Sequence, residues 1–282
     1  FDLDEKHASK DDDASGLQVV RPGDTLAYTF YWQALQTLST NYHGFVHLLD
    51  HEGQTVTTND HLAGSFFRAP MLWDTFTVQP DRYQVRIPKT TRNGLYTPIL
   101  GLYDFATLER IQTSDGTGQL LGDAYKLPPV KVLGKNPTET PQYSVNAKLG
   151  DSAILLGYDL SVPETGLRSG ATFTLTLYYR SLASTSQDLT QFIHLYDSER
   201  GMAAQHDSSP LQGANPTWAW VPGEAIVDSI LVTLAPNAPP GVYSLRVGLY
   251  NPSDGTRLPV RNKDGDLVPD EVVLLTDLTV QP

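Results

Sequence analysis

The sequence predicts an all-β protein built as two tandem, duplicated antiparallel β-sandwich domains of immunoglobulin-like or jelly-roll-like type. Three observations predict it. Short apolar–polar alternations recur along the chain, Gly and Pro punctuate them at short intervals, and one stretch occurs twice at a fixed offset. No segment carries helical periodicity beyond about two turns.

The alternation is clearest in Phe173-Thr174-Leu175-Thr176-Leu177-Tyr178-Tyr179. In a strand, Phe173, Leu175, Leu177 and Tyr179 share one face, and the intervening residues share the other. The four inward positions recur 147 residues earlier as Leu26, Tyr28, Phe30 and Trp32.

The same offset carries Phe45-Val46-His47-Leu48-Leu49-Asp50 onto Phe192-Ile193-His194-Leu195-Tyr196-Asp197. It also matches Asp60 with Asp207, Asp81 with Asp228, Gly101-Leu102-Tyr103 with Gly248-Leu249-Tyr250, and Arg110 with Arg257. Order, spacing and face are kept together, which marks a duplicated domain. The boundaries read as residues 1–133 for the first repeat, 134–149 for a Pro-containing linker and lead-in, and 150–282 for the second repeat.

In the second repeat, strands are expected over about 152–160, 171–180, 190–197, 225–234, 242–250 and 272–280. The end of its first strand, Tyr158-Asp159-Leu160, matches Phe1-Asp2-Leu3, followed by a longer loop with Lys10-Asp11-Asp12-Asp13. The first strand of the first repeat is therefore expected to be truncated. With Phe1 in place of Met, the chain is expected to be a piece of a longer polypeptide.

Composition narrows the function classes. Twenty Lys and Arg stand against 32 Asp and Glu, a formal charge of -12. Such a surface repels nucleic acid, which needs basic patches. The chain has no Cys, which excludes disulfides and thiol catalysis. Asn136, Asn215 and Asn251 are each followed by Pro, so none is a glycosylation acceptor. No apolar run reaches the ~18–20 residues of a membrane span.

Four groups of residues are candidates for function. His47 and His194 lie mid-strand, and Asp50 and Asp197 end those strands; presence in both copies assigns them to building the scaffold. The Pro-rich loop from Asp207 to Glu224 carries Trp218 and Trp220, with Trp73 as the single counterpart in the first copy. Exposed Trp faces stack on sugar rings, so Trp218, Trp220, Trp73, Asp207 and Glu224 form a candidate glycan site; the other reading is that a Trp, Trp220 or Trp73 above all, plugs the end of its sandwich. Asn262, Asp264, Asp266, Asp270 and Glu271 offer the alternating oxygen ligands of a structural calcium loop, the other reading being a plain polar turn. No other cofactor is expected. Finally, Asp207, Asp197 or Glu224 could serve a polysaccharide hydrolase, although no nucleophile elbow, phosphate loop, zinc motif or dinucleotide fingerprint is present.

The second copy contains Phe192-Ile193-His194-Leu195-Tyr196-Asp197, then Asp207, Pro210, Gly213, Pro216-Thr217, Trp220 and Pro222-Gly223-Glu224. Pro240-Gly241, Tyr243, Leu245, Val247-Gly248-Leu249-Tyr250 and Arg257-Leu258 follow. This pattern resembles the soluble β-sandwich repeats that follow the membrane part of bacterial glycosyltransferases similar to dolichyl-phosphate-mannose mannosyltransferases, notably in Chloroflexi-like bacteria, and repeats of other large surface proteins. The first copy departs from it, with Ala63-Gly64-Ser65-Phe66-Phe67-Arg68-Ala69-Pro70 in the loop and no Pro-Gly-Glu after Trp73. The resemblance implies an extracytoplasmic, membrane-linked or surface parent, and it carries no catalytic residue.

The expectation is therefore a non-catalytic extracytoplasmic accessory or binding module, with a glycan or a cell-envelope protein as partner. The alternatives are a purely structural subunit of a surface layer, sheath or membrane complex, and the hydrolase.

Overall fold

The computed structural model describes residues 16–282, and of Phe66 the backbone alone. The stretches Phe1-Asp2-Leu3 and Lys10-Asp11-Asp12-Asp13 lie outside the described residues. The chain divides into two compact units with a boundary between Gly134 and Lys135.

The first unit contains β1 (Gln18–Val20), β2 (Thr25–Gln33), β3 (His43–Leu49), β4 (Thr55–Leu62), β5 (Val78–Arg86), β6 (Gly94–Tyr103), β7 (Thr113–Ser114), β8 (Leu120–Gly122), β9 (Tyr125–Lys126) and β10 (Val130–Val132). One sheet has the order β1-β10-β6-β3-β4, with β9 also on β6. A second sheet is the pair β2-β5, and β7-β8 is a separate hairpin. The ladders are antiparallel except β1 on β10. Leu26 and Phe30 of β2 meet Val46 and Leu48 of β3 in one core.

The second unit contains β11 (Tyr143–Leu149), β12 (Ala153–Ser161), β13 (Thr172–Ser181), β14 (Thr190–Asp197), β15 (Gly201–Ser208), β16 (Ala225–Thr233), β17 (Gly241–Tyr250), β18 (Val260–Arg261) and β19 (Val273–Val280). Its sheets run β16-β13-β12-β11-β18 and β15-β14-β17-β19. Phe173, Leu175, Leu177 and Tyr179 face Ile193, Leu195, Tyr243 and Val247 across a single core, so the period-two pattern of β13 buries one face. This is a two-layer all-β sandwich, as the sequence predicts.

Residues 143–149, expected to belong to the linker and lead-in, form β11 instead. They bond β12 on one side and β18 on the other. The alternation is broken in the sequence because the ladder shifts register between Ser144 and Ala147, where Asn146 takes a φ of 58°. A bulge of this kind moves later side chains to the opposite face.

Candidate functional site

The aromatic loop closes one end of the second sandwich. Trp220 is 1% exposed. Its Nε1–H donates to the Asn215 carbonyl at 2.9 Å, and its ring stands 5.8 Å from that of Tyr179. Satisfying the one polar atom lets the rest of the indole stay in the core. Glu224, 2% exposed, accepts from Asn215 Nδ2 at 2.9 Å and from the Val221 N–H at 3.0 Å. Thr217 fixes the loop to its neighbour by donating to the Gln187 carbonyl and accepting the Leu189 N–H. In the first unit, Trp73 is 6% exposed and donates to the Arg68 carbonyl. Trp220, Trp73 and Glu224 are thus internal struts and offer no free face or carboxylate to a sugar. Of the two readings, Trp220 and Trp73 follow the plug, and all three residues leave the expected glycan platform. Of the loop's two tryptophans, Trp218 alone keeps part of its surface in solvent, and Asp207 is exposed.

The calcium-like loop is a closed polar turn. Asn262 Oδ1 accepts the N–H groups of Asp264 at 3.0 Å and Asp266 at 2.9 Å. Arg261 donates to the Gly265 carbonyl at 2.8 Å, and Gly265 supplies the φ of 90° that the turn requires. Asp270 and Glu271 lie in a following short turn. Among the described residues, no three His, Asp or Glu side chains converge as a metal site. Asn262 Oδ1 bonds the backbone, so the loop is built as the polar turn of the two readings, an Asx turn.

Asp50 and Asp197 also bind backbone. Asp50 accepts from Glu52 and Gln54, and Asp197 from Glu199 and Arg200. The Arg200 N–H is the main cause holding the Asp197 carboxyl below its ordinary pKa.

His47 and His194 do not point into the cores. Val46 and Leu48 do, and so do Ile193 and Leu195; the intervening Phe45–His47 and Phe192–His194 lie on the outer face of each sheet. There the two copies build the same cluster. His47 Nε2 pairs with Asp60 at 3.0 Å, and His194 Nε2 lies 3.4 Å from Asp207. Arg110 lies over the Phe45 ring at 4.5 Å, and Arg257 lies over the Phe192 ring at 4.7 Å. Tyr250 donates to Asp207 at 3.2 Å. Asp207 is therefore brought to His194 across the β14–β15 ladder, away from the Trp loop.

On this duplicated base the second copy adds two residues. Position 246 is Arg where the first copy has Ile99, and position 196 is Tyr where the first copy has Leu49. Arg246 packs on the Tyr196 ring at 4.6 Å. Its side chain makes no hydrogen bond or ion pair among the described residues, and its Nε is buried. Beside it opens a cavity of about 310 Å³ lined by His194, Tyr196, Met202, Arg246, Arg257 and Asp270. Arg257 is anchored by donating to the Asp270 carbonyl at 3.1 Å. Burial lowers the His194 pKa below 6.5, helped by Arg257 and Arg246 and opposed by Asp207. The site thus holds one guanidinium without a hydrogen-bond partner, one anchored guanidinium, an imidazole whose charged form burial disfavours, and the Asp270 carboxylate at its rim. Chemically it can hold a small anion. No motif singles out Arg246 or marks Tyr196 as a site residue; their signal in the sequence is a change of residue class inside an otherwise matched strand.

No family model matches the chain. No curated protein matches it. Solved structures that overlap with it include a β-glucuronidase of Bacteroides uniformis, at 15% identity and TM-score 0.29, covering 86% of this chain and 26% of that chain. They also include the C-terminal domain of the antigen I/II-family protein AspA of Streptococcus pyogenes, at 10% identity and TM-score 0.24, covering 94% and 95%. A third is the C-terminal domain of the AgI/II polypeptide BspA of Streptococcus agalactiae, at 9% identity and TM-score 0.23, covering 94% and 95%. At these TM-scores the superpositions transfer neither topology nor activity to this chain.

Proposed function

We propose that the chain is a non-catalytic, extracytoplasmic accessory module of a membrane-linked or surface polypeptide, and that its second unit binds an acidic glycan. The observation that carries the ligand class is Arg246: a guanidinium without a counter-ion, at a cavity of about 310 Å³, at a position where the duplicated scaffold has Ile99. A sugar carboxylate suits the planar fork of Arg246, while Arg257 and His194 sit within the same cavity. The formal charge of -12 opposes anions at long range. That field is screened over about 8 Å at physiological salt, so the local site decides binding and the affinity is modest.

The non-catalytic part is supported by how the hydrolase candidates are used. Asp197 caps a turn, Glu224 is enclosed, and Asp207 serves Tyr250 and His194.

An array of acidic and neutral oligosaccharides tests the reading. Retention of uronate-bearing members, loss at high salt and loss in Arg246→Ile are expected. Retention of no acidic member, or equal retention by Arg246→Ile, counts against it.

A further inference from the structure

Gln191 of β14 and Ser208 of β15 stand directly opposite each other in the ladder, so their side chains share the inward face of the sheet. Gln191 is fully buried, in line with Ile193 and Leu195 of the core. Its carboxamide is held at both ends. Nε2 donates to Asp228 Oδ2, which also accepts the Leu211 N–H at 2.9 Å, and Oε1 accepts from the Tyr179 hydroxyl at 3.3 Å. Ser208 Oγ lies 3.4 Å from the amide nitrogen and 3.2 Å from His206 Nε2. His206, next but one to Ser208, lies on the same face of β15.

These side chains are the parts of an acyl transfer. A hydroxyl beside an imidazole is a nucleophile with its general base, and the amide it touches is an electrophile. The Tyr179 hydroxyl, kept protonated because burial raises its pKa, donates to the oxygen on which charge develops. Asp228 is a positioning residue: it fixes the amide with its oxygen on Tyr179 and its nitrogen beside Ser208. The first unit keeps the carboxylate alone. Gly44, His61, Asn59 and Trp32 stand where the second copy has Gln191, Ser208, His206 and Tyr179. There Asp81 is occupied by Trp32, His61 and Tyr83, and Gly44 faces His61 in the ladder, so no hydroxyl meets a carboxamide at that position.

We infer that Ser208 and Gln191 join in an intramolecular ester that staples β15 to β14. Ser208 Oγ bonds Gln191 Cδ while His206 takes the hydroxyl proton. The Cδ–Nε2 bond then breaks, His206 returns the proton to the departing nitrogen, and ammonia leaves. No oxidant, reductant or cofactor enters the balance. Each chain reacts once, without turnover. Facing strands hold the two groups together, which supplies the effective concentration that attack on an ordinary amide lacks. Escape of ammonia draws the step forward, and burial of Gln191 shields the ester from water. The staple falls where the sheet is weakest. β15 is an edge strand, its sequence Gly201-Met202-Ala203-Ala204-Gln205-His206-Asp207-Ser208 has no β-branched residue, and the chain has no Cys for a disulfide.

Mass spectrometry of the full chain, folded and incubated at neutral pH, tests this. The intact mass is expected about 17 Da below that of the sequence, the loss of one ammonia. Trypsin cuts after Arg180, Arg200 and Arg246, which puts Gln191 and Ser208 on separate peptides, 181–200 and 201–246. These are expected as one linked species that hydroxylamine, which opens esters, splits in two. Ser208→Ala is expected to give the full mass and separate peptides with an unchanged near-ultraviolet dichroism spectrum. His206→Gln and Tyr179→Phe, which leave both reacting groups in place, are expected to slow the linking at least about tenfold. Separate peptides from the folded, unsubstituted chain overturn the inference. So does a linked species that persists in Ser208→Ala, or linking at an unchanged rate in both His206→Gln and Tyr179→Phe.

Discussion

Phe192 lies directly opposite Gly248 on the neighbouring strand, so closely that a Cβ built on Gly248 would stand 2.5 Å from the ring. Phe45 and Gly101 repeat the arrangement in the first unit. The duplicated glycine makes room for an aromatic ring laid flat on the outer face of the sheet, and the duplicated arginine covers that ring. The shared His–Asp pair stands beside it. What the two copies preserve is therefore a packed patch on the outside of each sandwich, in addition to the core.

Gly248→Ala is expected to lower the stability of the second unit by about 1–3 kcal/mol, because the Phe192 ring is held by Arg257 and must shift. Denaturant unfolding reads this directly, and Gly101→Ala is expected to act likewise in the first unit. An unchanged midpoint for both would show that the ring moves aside freely.

The two tryptophans of the loop are expected to separate sharply. Trp220→Ala removes an enclosed plug and costs about 3–5 kcal/mol. Trp218→Ala, half in solvent, costs less than about 1 kcal/mol. Comparable losses from the two would contradict the placement of Trp220 as the end cap.

Much of this architecture is legible in the sequence because duplication doubles the signal. Phe173, Leu175, Leu177 and Tyr179 alternate as a half-buried strand must, and the offset of 147 fixes the register of both cores. Three things were hidden. β11 is broken by the bulge at Asn146, and β15 contains Ala203, Ala204, Gln205 and His206 in place of β-branched residues. The tryptophans could not be assigned to surface or core, since an indole suits either until a carbonyl such as that of Asn215 is found for its N–H. Asn262 illustrates the same limit: its oxygen has the chemistry of a metal ligand, but local backbone N–H groups reach it first.

The pH dependence of the second unit follows from His194. Burial chiefly holds its pKa below 6.5 in the folded state. As pH falls, the unfolded chain takes up the proton first, so the stability contributed by neutral His194 is present above 6.5 and is lost as pH drops through that value. Unfolding measured between about pH 7 and about pH 5 is expected to show a decline that His194→Gln flattens. Superimposable curves for the two proteins would exclude His194 as its source.

The central claim is that Arg246 recognises a carboxylate in the cavity it shares with Arg257 and His194. Calorimetric titration with a hexuronate-containing oligosaccharide and with its methyl ester tests this most directly. The account predicts that the free acid binds at least about tenfold more tightly than the ester, a difference of about 1.4 kcal/mol, and that Arg246→Ile abolishes the difference. Equal affinity for acid and ester, or a preference that survives Arg246→Ile, would contradict it.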